Sequence, residues 1–454
     1  MNIIVLNGSP AGENSITLYT MRFIRQRFPE HSWEVLHAGQ RIRAMEKDAS
    51  AWREALARAE LIVFCYPVYT FLAPAQLHRF IELMKDSGLD FSGKYATQIS
   101  TSKHFYDTTA HQYIEDNCHD LGLKYIRGLS ADMDDLLSEK GRREALSFFR
   151  YVLWNIGRDY HEPAPGRGTA PAPIAAHPQA EPLAVAAPKR VVIVADFTHT
   201  RENRLQDMCE RLKNRLPCAC EIVNIQDFPF AGGCLGCFHC AADGQCVYRD
   251  GFDTYLREHI QTADALVYAF TVRDHSMGCR FKLFDDRQFC NGHRTVTMGK
   301  PVGYLVDGAM DGEPNLRLLM EARAQVGGNT LAGIADNRRD PDGAIDRLAE
   351  TLCYAVTEEY QPPKNFYGVG GLKIFRDLIW QMQGLMRADH KFYRQHGFYD
   401  FPQKKRGTML AMYLVGGLMN SPKLRKKLGA RITEGMIGPY KKVLERYGSG
   451  ERML

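Results

Sequence analysis

Residues 59–80 read AELIVFCYPVYTFLAPAQLHRF, and residues 263–284 read ADALVYAFTVRDHSMGCRFKLF. In each, a short apolar run breaks at a loop and passes into a stretch of helical character, the pattern of a buried strand feeding a helix. At an offset of 204 the two share Ala59/Ala263, Val63/Val267, Val68/Val272 and Phe80/Phe284. Further upstream, NIIVLNGSPAGEN (Asn2–Asn14) pairs with VVIVADFTHTREN (Val191–Asn203) at an offset of 189. The offset grows by fifteen between the two anchors, and residues 232–246, GGCLGCFHCAADGQC, fall in that gap. The second half is therefore expected to copy the first, with a cysteine-bearing insertion.

Strands that alternate with helices across short loops predict a parallel sheet covered on both faces. The expected architecture is α/β, with two doubly wound parallel-sheet domains in tandem and a helical C-terminal tail. Residues 160–189, rich in Pro and Ala and without apolar periodicity, read as a semi-rigid linker. The expected boundaries are a first domain over 1–159, the linker over 160–189, a second domain over 190–365 and a basic helical extension over 366–454.

The chain has 454 residues, 45% hydrophobic and 24% charged, in the ordinary globular range. Its net charge of +5 is unevenly spread, with thirteen Lys/Arg against three acids between Lys391 and Arg446. That basic tail is either a solvated face of packed helices or a contact for a membrane surface or an acidic partner. No nucleic-acid partner is expected. The start MNIIVLNGSP is uncharged and strand-like, unlike a secretory signal. The longest apolar run, Met409–Met419, is well short of the ~20 residues that span a bilayer. Twelve cysteines, four of them at tight spacing, then point to metal or redox chemistry in a reducing cytoplasm.

The loop after the first strand, Asn7 to Thr17, has the character of an anion site. Gly8 and Gly12 permit tight turns, Ser9, Asn14, Ser15 and Thr17 bring side-chain donors, and a helix follows. It lacks the lysine of a nucleotide-triphosphate loop, and the competing reading is a hydroxyl-rich helix cap without ligand. Two more loops, Tyr66–Pro74 and Ser100–Asp107, also follow strands. Together the three suit a phosphate and a flat ring held at the carboxyl edge of a sheet.

These residues resemble the flavodoxin-like NAD(P)H-dependent FMN reductase family, whose GSP…NS/T and PVY…P-x-QL…F motifs stand here as Gly8-Ser9-Pro10…Asn14-Ser15 and Pro67-Val68-Tyr69…Pro74-Ala75-Gln76-Leu77…Phe80. The resemblance covers residues 1–150 and implies two flavodoxin-like domains, FMN as cofactor and NAD(P)H as electron donor. It implies that Ser9, Pro10, Asn14 and Ser15 bind the FMN phosphate, and that Pro67, Val68, Tyr69, Thr70, Thr101 and Ser102 flank the ring. Tyr69, His104 and Tyr106 either line the substrate side or pack.

The second copy departs from this pattern. Its first loop lacks the glycines but keeps Thr198, Thr200 and Asn203, with Arg201 available to a phosphate; its second loop reads Thr271-Val-Arg-Asp-His275. The helix beyond ends Phe284-Asp-Asp-Arg287, which resembles the family's F-I-D-R. Either it binds FMN or it is a cofactor-free copy.

Cys234, Cys237, Cys240 and Cys246 follow C-x2-C-x2-C-x5-C, with Asp250 beyond, and resemble the iron-sulfur flavoproteins, which hold a [4Fe–4S] cluster. Thiolates at two-residue intervals suit one cubane, whereas zinc more often takes two CxxC pairs with a longer spacer. Zinc and free thiols stay as alternatives. The other eight cysteines read as small buried apolar residues.

The expected enzyme is an FMN-dependent oxidoreductase passing electrons from NAD(P)H, directly or through the cluster, to a small quinone, nitro or azo aromatic, or enone. Two rivals remain: an iron-sulfur electron carrier reduced by a ferredoxin-type donor, and a non-catalytic flavodoxin-like scaffold. A homo-oligomer is one expected assembly. The other is an internal pseudo-dimer in which the second half's cluster feeds the first half's flavin.

Overall fold

The computed structural model describes residues 1–164, 172–184, 190–199, 203–241, 243–419 and 423. Residues 165–171 and 185–189 of the expected linker, the loop residues Thr200 and Arg201, and most of the basic tail lie outside the described residues.

The first half forms a sheet from β1 (Asn2–Asn7), β2 (Ser32–Leu36), β3 (Leu61–Pro67), β4 (Tyr95–Ser102), β5 (Lys124–Tyr125) and β6 (Leu129–Asp132), in the order β2-β1-β3-β4-β5 with β6 also on β4. The second half forms another from β7 (Arg190–Ala195), β8 (Ala219–Asn224), β9 (Ala265–Thr271), β10 (Pro301–Asp307) and β11 (Thr330–Asp336), in the order β8-β7-β9-β10-β11. Every pairing is parallel. Each sheet has the 2-1-3-4-5 order of a flavodoxin-like fold, which reverses between its first and third strands and leaves a crevice at their carboxyl ends. The tandem α/β architecture is therefore as expected, and helices Phe366–Gln381, Arg387–Gln395 and Arg406–Met419 follow the second sheet.

The register corrects one alignment. Ile3 pairs with Leu61 on β3, and Val191 pairs with Ala265 on β9. With Leu61 and Ala265 equivalent at the 204 offset, Ile3 corresponds to Val191, an offset of 188 and not 189. Ser15 and Asn203, each the N-cap of the first helix of its half, obey the same offset. In a uniformly apolar buried strand a one-residue slip leaves no mark on the hydrophobic pattern, although it exchanges the two faces.

The two halves share a core. One continuous buried cluster joins Ile4, Leu6, Ile62, Phe64 and Phe80 to Val192, Val194, Phe270, Phe281 and Phe284, while smaller clusters cover the outer face of each sheet. Residues Met1–Phe392 make one compact unit and Tyr393–Leu454 a second. In the first unit, helix Phe366–Gln381 packs on helix Pro314–Gly327. A Cβ at Gly371 would sit 2.6 Å from the Val326 side chain and 3.0 Å from Phe105, so glycine permits the close approach there.

Candidate functional site

After β1 the chain is tied down by Asn7, whose Nδ2 donates to Gly12 O at 2.9 Å and whose Oδ1 accepts from Ser9 N at 3.2 Å. Gly12 sits at φ +58°, which favours glycine. Gly8 has no such conformation; it is small because Leu77 packs 2.6 Å from where its Cβ would be. Ser15 Oγ accepts from Leu18 N at 3.4 Å and caps helix Ile16–Arg27, so the positive end of that helix opens onto the loop.

After β3 the chain makes a tight left-handed turn. Tyr69 and Leu72 exchange backbone hydrogen bonds of 2.7 and 3.0 Å around Thr70 at φ +41° and Phe71 at φ +72°. The second half repeats it at the 204 offset, with Arg273 and Ser276 bonded at 2.9 Å each way around Asp274 at φ +51° and His275 at φ +62°. The first turn is held from the second half. Lys282 Nζ donates to Tyr69 O at 3.0 Å and to Thr70 Oγ1 at 2.8 Å, and it pairs with Asp286. Asp286 accepts from Thr70 Oγ1 at 2.7 Å and from Ala75 N at 2.9 Å. Lys282 and Asp286 are both fully buried.

A cavity of about 540 Å³ lies over these loops. Ser9, Asn14, Ser15, Pro67, Val68, Tyr69, Thr70, Thr101 and Ser102 line it; Pro10 is buried in the loop beside it and does not. Thr17, Phe71, Lys103 and Phe105 complete this side, and helix Phe366–Gln381 adds Ile374, Phe375 and Leu378, with Phe375 stacked on Phe105 at 4.1 Å. His104 is exposed and turns to Asp107 at 2.9 Å, whereas Tyr106 packs and donates to Tyr367 O at 2.7 Å; neither lines the cavity. The hydroxyls of Thr17 and Thr101 are buried without a hydrogen-bond partner. Both residues line the cavity, and a buried hydroxyl without a partner is one that a polar ligand would satisfy; the residues present fit FMN.

The opposite wall comes from the second half, where Cys234, Cys237, Cys240 and Cys246 all line the same cavity. Gly236, at φ +61°, lies so close to the Tyr69 hydroxyl that a Cβ would collide with it. Phe289 meets the Tyr69 ring edge-on at 5.7 Å. Cys234 Sγ accepts from Gly236 N at 3.5 Å, and the Cys240 thiol donates to Phe289 O at 3.1 Å. Burial pushes the Cys234 thiol up to about 12 and that of Cys240 to about 11.

Arg287 anchors this loop, donating to Gly232 O at 2.9 Å and to both oxygens of Asp250 at 2.8 Å. Burial works to raise the Asp250 carboxyl, yet the bonds from Arg287 and the Ala231 amide hold it down at about 2. Among the described residues no three His, Cys, Asp or Glu side chains converge on a single metal ion. The four thiols share a wall, and the set matches the ligands of a cubane in number and type.

The second half's own crevice differs. Asp307 ends β10 beside Thr271, the place Thr101 takes beside Pro67. It accepts from Arg204 Nε at 3.1 Å, Asn337 Nδ2 at 2.6 Å and Thr271 Oγ1 at 3.3 Å. A carboxylate satisfied within the protein thus stands where the first half has an orphaned hydroxyl, which favours the cofactor-free copy.

Residues 1–128 match the model of the NADPH-dependent FMN reductase family. The match lies wholly in the first half and carries both loop motifs of the flavin-type site, so the reductase character is that of this half. The chain is also similar to the iron-sulfur flavoprotein of Archaeoglobus fulgidus, 28% identical over 174 residues, 36% of this chain and 79% of that protein. Among solved structures it is similar to the NAD(P)H:quinone oxidoreductase from Methanothermobacter marburgensis (TM-score 0.28, 15% identity, 36% of this chain and 97% of that one). It is similar also to an FMN-dependent NADH-azoreductase from Bacillus anthracis in complex with FMN (TM-score 0.27, 13% identity, 34% of this chain and 98% of that one).

The sequence missed three residues of the reductase half's surroundings: Lys282, Phe289 and Gly236. All three come from more than 160 positions away, and only Gly236 carried a local signal, as a glycine inside the cysteine run.

Proposed function

We propose that the reductase half binds one FMN in the 540 Å³ cavity and that the four cysteines of the second half hold a [4Fe–4S] cluster on the opposite wall. The observation that carries this reading is the shared cavity: the FMN-type loops and all four thiols line one space, with Gly236 against Tyr69. Ser9, Asn14, Ser15 and the N-terminus of helix Ile16–Arg27 would receive the phosphate. Pro67 to Thr70, Thr101 and Ser102 would hold the ring. FMN, when bound, accepts a hydride or single electrons and passes them on.

The chain's own contribution is placement and exclusion of water. Phe105, Phe375, Leu378 and Met382 make an apolar side to the cavity. Cations that line it already have carboxylate partners, Lys103 with Asp132 and Asp134, Arg287 with Asp250 and Arg294 with Asp389. That supports a small, planar, uncharged acceptor such as a quinone, a nitro or azo aromatic, or an enone. A second reading, an electron carrier reduced by a ferredoxin-type protein, is favoured by the exposure of Cys237 and of Phe238, 53% accessible.

The test is anaerobic purification, with flavin, iron and sulfide quantified per chain, followed by NADPH reduction of a quinone. About four irons with one FMN, both lost together from no single-Cys variant, and rapid NADPH turnover would uphold the reading. FMN without iron would remove the cluster, and loss of NADPH turnover with iron retained would favour the carrier.

A further inference from the structure

We propose that helix Arg406–Met419 docks the protein on an anionic lipid bilayer, lying in the boundary between headgroups and acyl chains. Its sequence, RGTMLAMYLVGGLM, has no charge after Arg406. Its large side chains are in solvent all round: Leu410, Leu414 and Leu418 along one line are 64, 65 and 50% exposed, and Met409, Met412 and Tyr413 on other lines are 49, 58 and 78% exposed. A helix that is apolar on every side is stable only when surrounded by apolar material. A protein groove takes an amphipathic helix along one stripe and leaves the other face to water. A bilayer boundary covers the underside and flanks of a helix lying in it, a wider arc than a groove covers.

Length and charge decide how it would lie. Fourteen residues at about 1.5 Å each reach about 21 Å, short of the ~30 Å hydrocarbon core. No described helix is long and apolar enough to cross a membrane. Cations stand at both ends, Lys404, Lys405 and Arg406 before the apolar run and Lys423 after it, all exposed. From Phe401 to Thr433 the sequence has eight Lys/Arg and no acid. Both ends are thus held at the headgroups, which places the helix along the surface. The charge matches anionic lipid, at about 1 kcal/mol per cation near the surface, and Tyr413 suits the interfacial depth.

The test uses the full chain, co-sedimented with vesicles of phosphatidylcholine alone and of phosphatidylcholine mixed with phosphatidylglycerol. Binding is expected to the mixed vesicles and to fall as salt rises. The double variant Leu410→Glu/Leu414→Glu, at exposed positions that bear no core, is expected to lose roughly tenfold or more in vesicle affinity. Lys404→Gln/Lys405→Gln is expected to weaken binding to the mixed vesicles and flatten its salt dependence. An unchanged near-ultraviolet spectrum would show that the fold persists in each variant. Failure of the full chain to bind mixed vesicles would overturn the proposal, as would equal binding by the double-Glu variant. A concentration-dependent dimer that the double-Glu variant abolishes, without vesicle binding, would assign the helix to a second copy of the chain instead.

Discussion

Asp286 Oδ2, in the second half, accepts the backbone N–H of Ala75 in the first at 2.9 Å, and the relationship is reciprocal. At the 204 offset Ala75 corresponds to Cys279 and Asp286 to Glu82, and Glu82 Oε1 accepts the backbone N–H of Cys279 at 2.9 Å. Each carboxylate sits at the N-terminus of the other half's helix, where free amides and the helix dipole favour negative charge. Self-complementary contacts of this kind are the signature of a two-fold interface, here built within one chain.

Breaking the pair at Asp286 should be severe. Burial raises its carboxyl, while Lys282 opposes that by favouring the ionised form. Asp286→Ala would leave the buried Lys282 ammonium with only the more distant Asp285 carboxylate, 4.0 Å away, as counter-charge, at a loss of about 3–5 kcal/mol. Adding Lys282→Met should recover part of that loss. Urea unfolding of both variants measures the coupling, and additive losses would show that the two side chains act independently.

The interface also carries a pH dependence. His275 Nε2 meets Asp120 at 2.8 Å and its Nδ1 meets Glu313 at 3.0 Å, with Lys85 bridging Asp120 and Asp274 alongside. Burial lowers the imidazole, but the two carboxylates outweigh it and lift it to about 9. A value raised above the unfolded one, about 6.5, gives stability that is complete below that pH and is lost as pH rises through 9. Denaturation midpoints of the wild type and His275→Gln should therefore differ most near pH 6 and converge above pH 9. A constant gap across that range would contradict the assignment.

Thr101→Val should separate binding from folding. Its hydroxyl is buried without a partner in the protein, so removing it relieves an unsatisfied group and leaves the apoprotein at least as stable. Loss of one hydrogen bond to bound FMN should weaken affinity by about 1 kcal/mol, roughly fivefold. Flavin fluorescence titration reads the affinity and thermal unfolding the stability. Unchanged affinity would remove Thr101 from the FMN site.

Gly236→Ala probes the contact between the cysteine loop and the flavin turn. The backbone there is left-handed at φ +61°, and a Cβ would strike the Tyr69 hydroxyl. We expect a loss of about 1–2 kcal/mol in stability from the strain, with a shift in the visible spectrum of bound flavin as Tyr69 is displaced. Tyr69→Phe should remove the hydroxyl clash, leaving only the ring Cζ at 2.9 Å, and restore most of the spectrum; a spectrum indifferent to both changes would place Tyr69 away from the ring.

The sequence by itself determined the tandem sheets, because fully buried parallel strands write themselves as unbroken apolar runs such as LIVFCY and VVIVA, and the flavin-type loops sit at fixed distances after them. Local spacing alone singled out the four cysteines as one group. It could not place Arg287 on Asp250, although both stood out separately, nor Lys282 beneath Tyr69, since neither pairing has any periodicity along the chain. Those contacts exist because two sheets bury their inner faces in one core, which brings helix Gly278–Arg287 against helix Ala75–Asp86. The same packing made one cavity out of two distant loops, and only the tertiary structure decides which surfaces a shared core brings face to face.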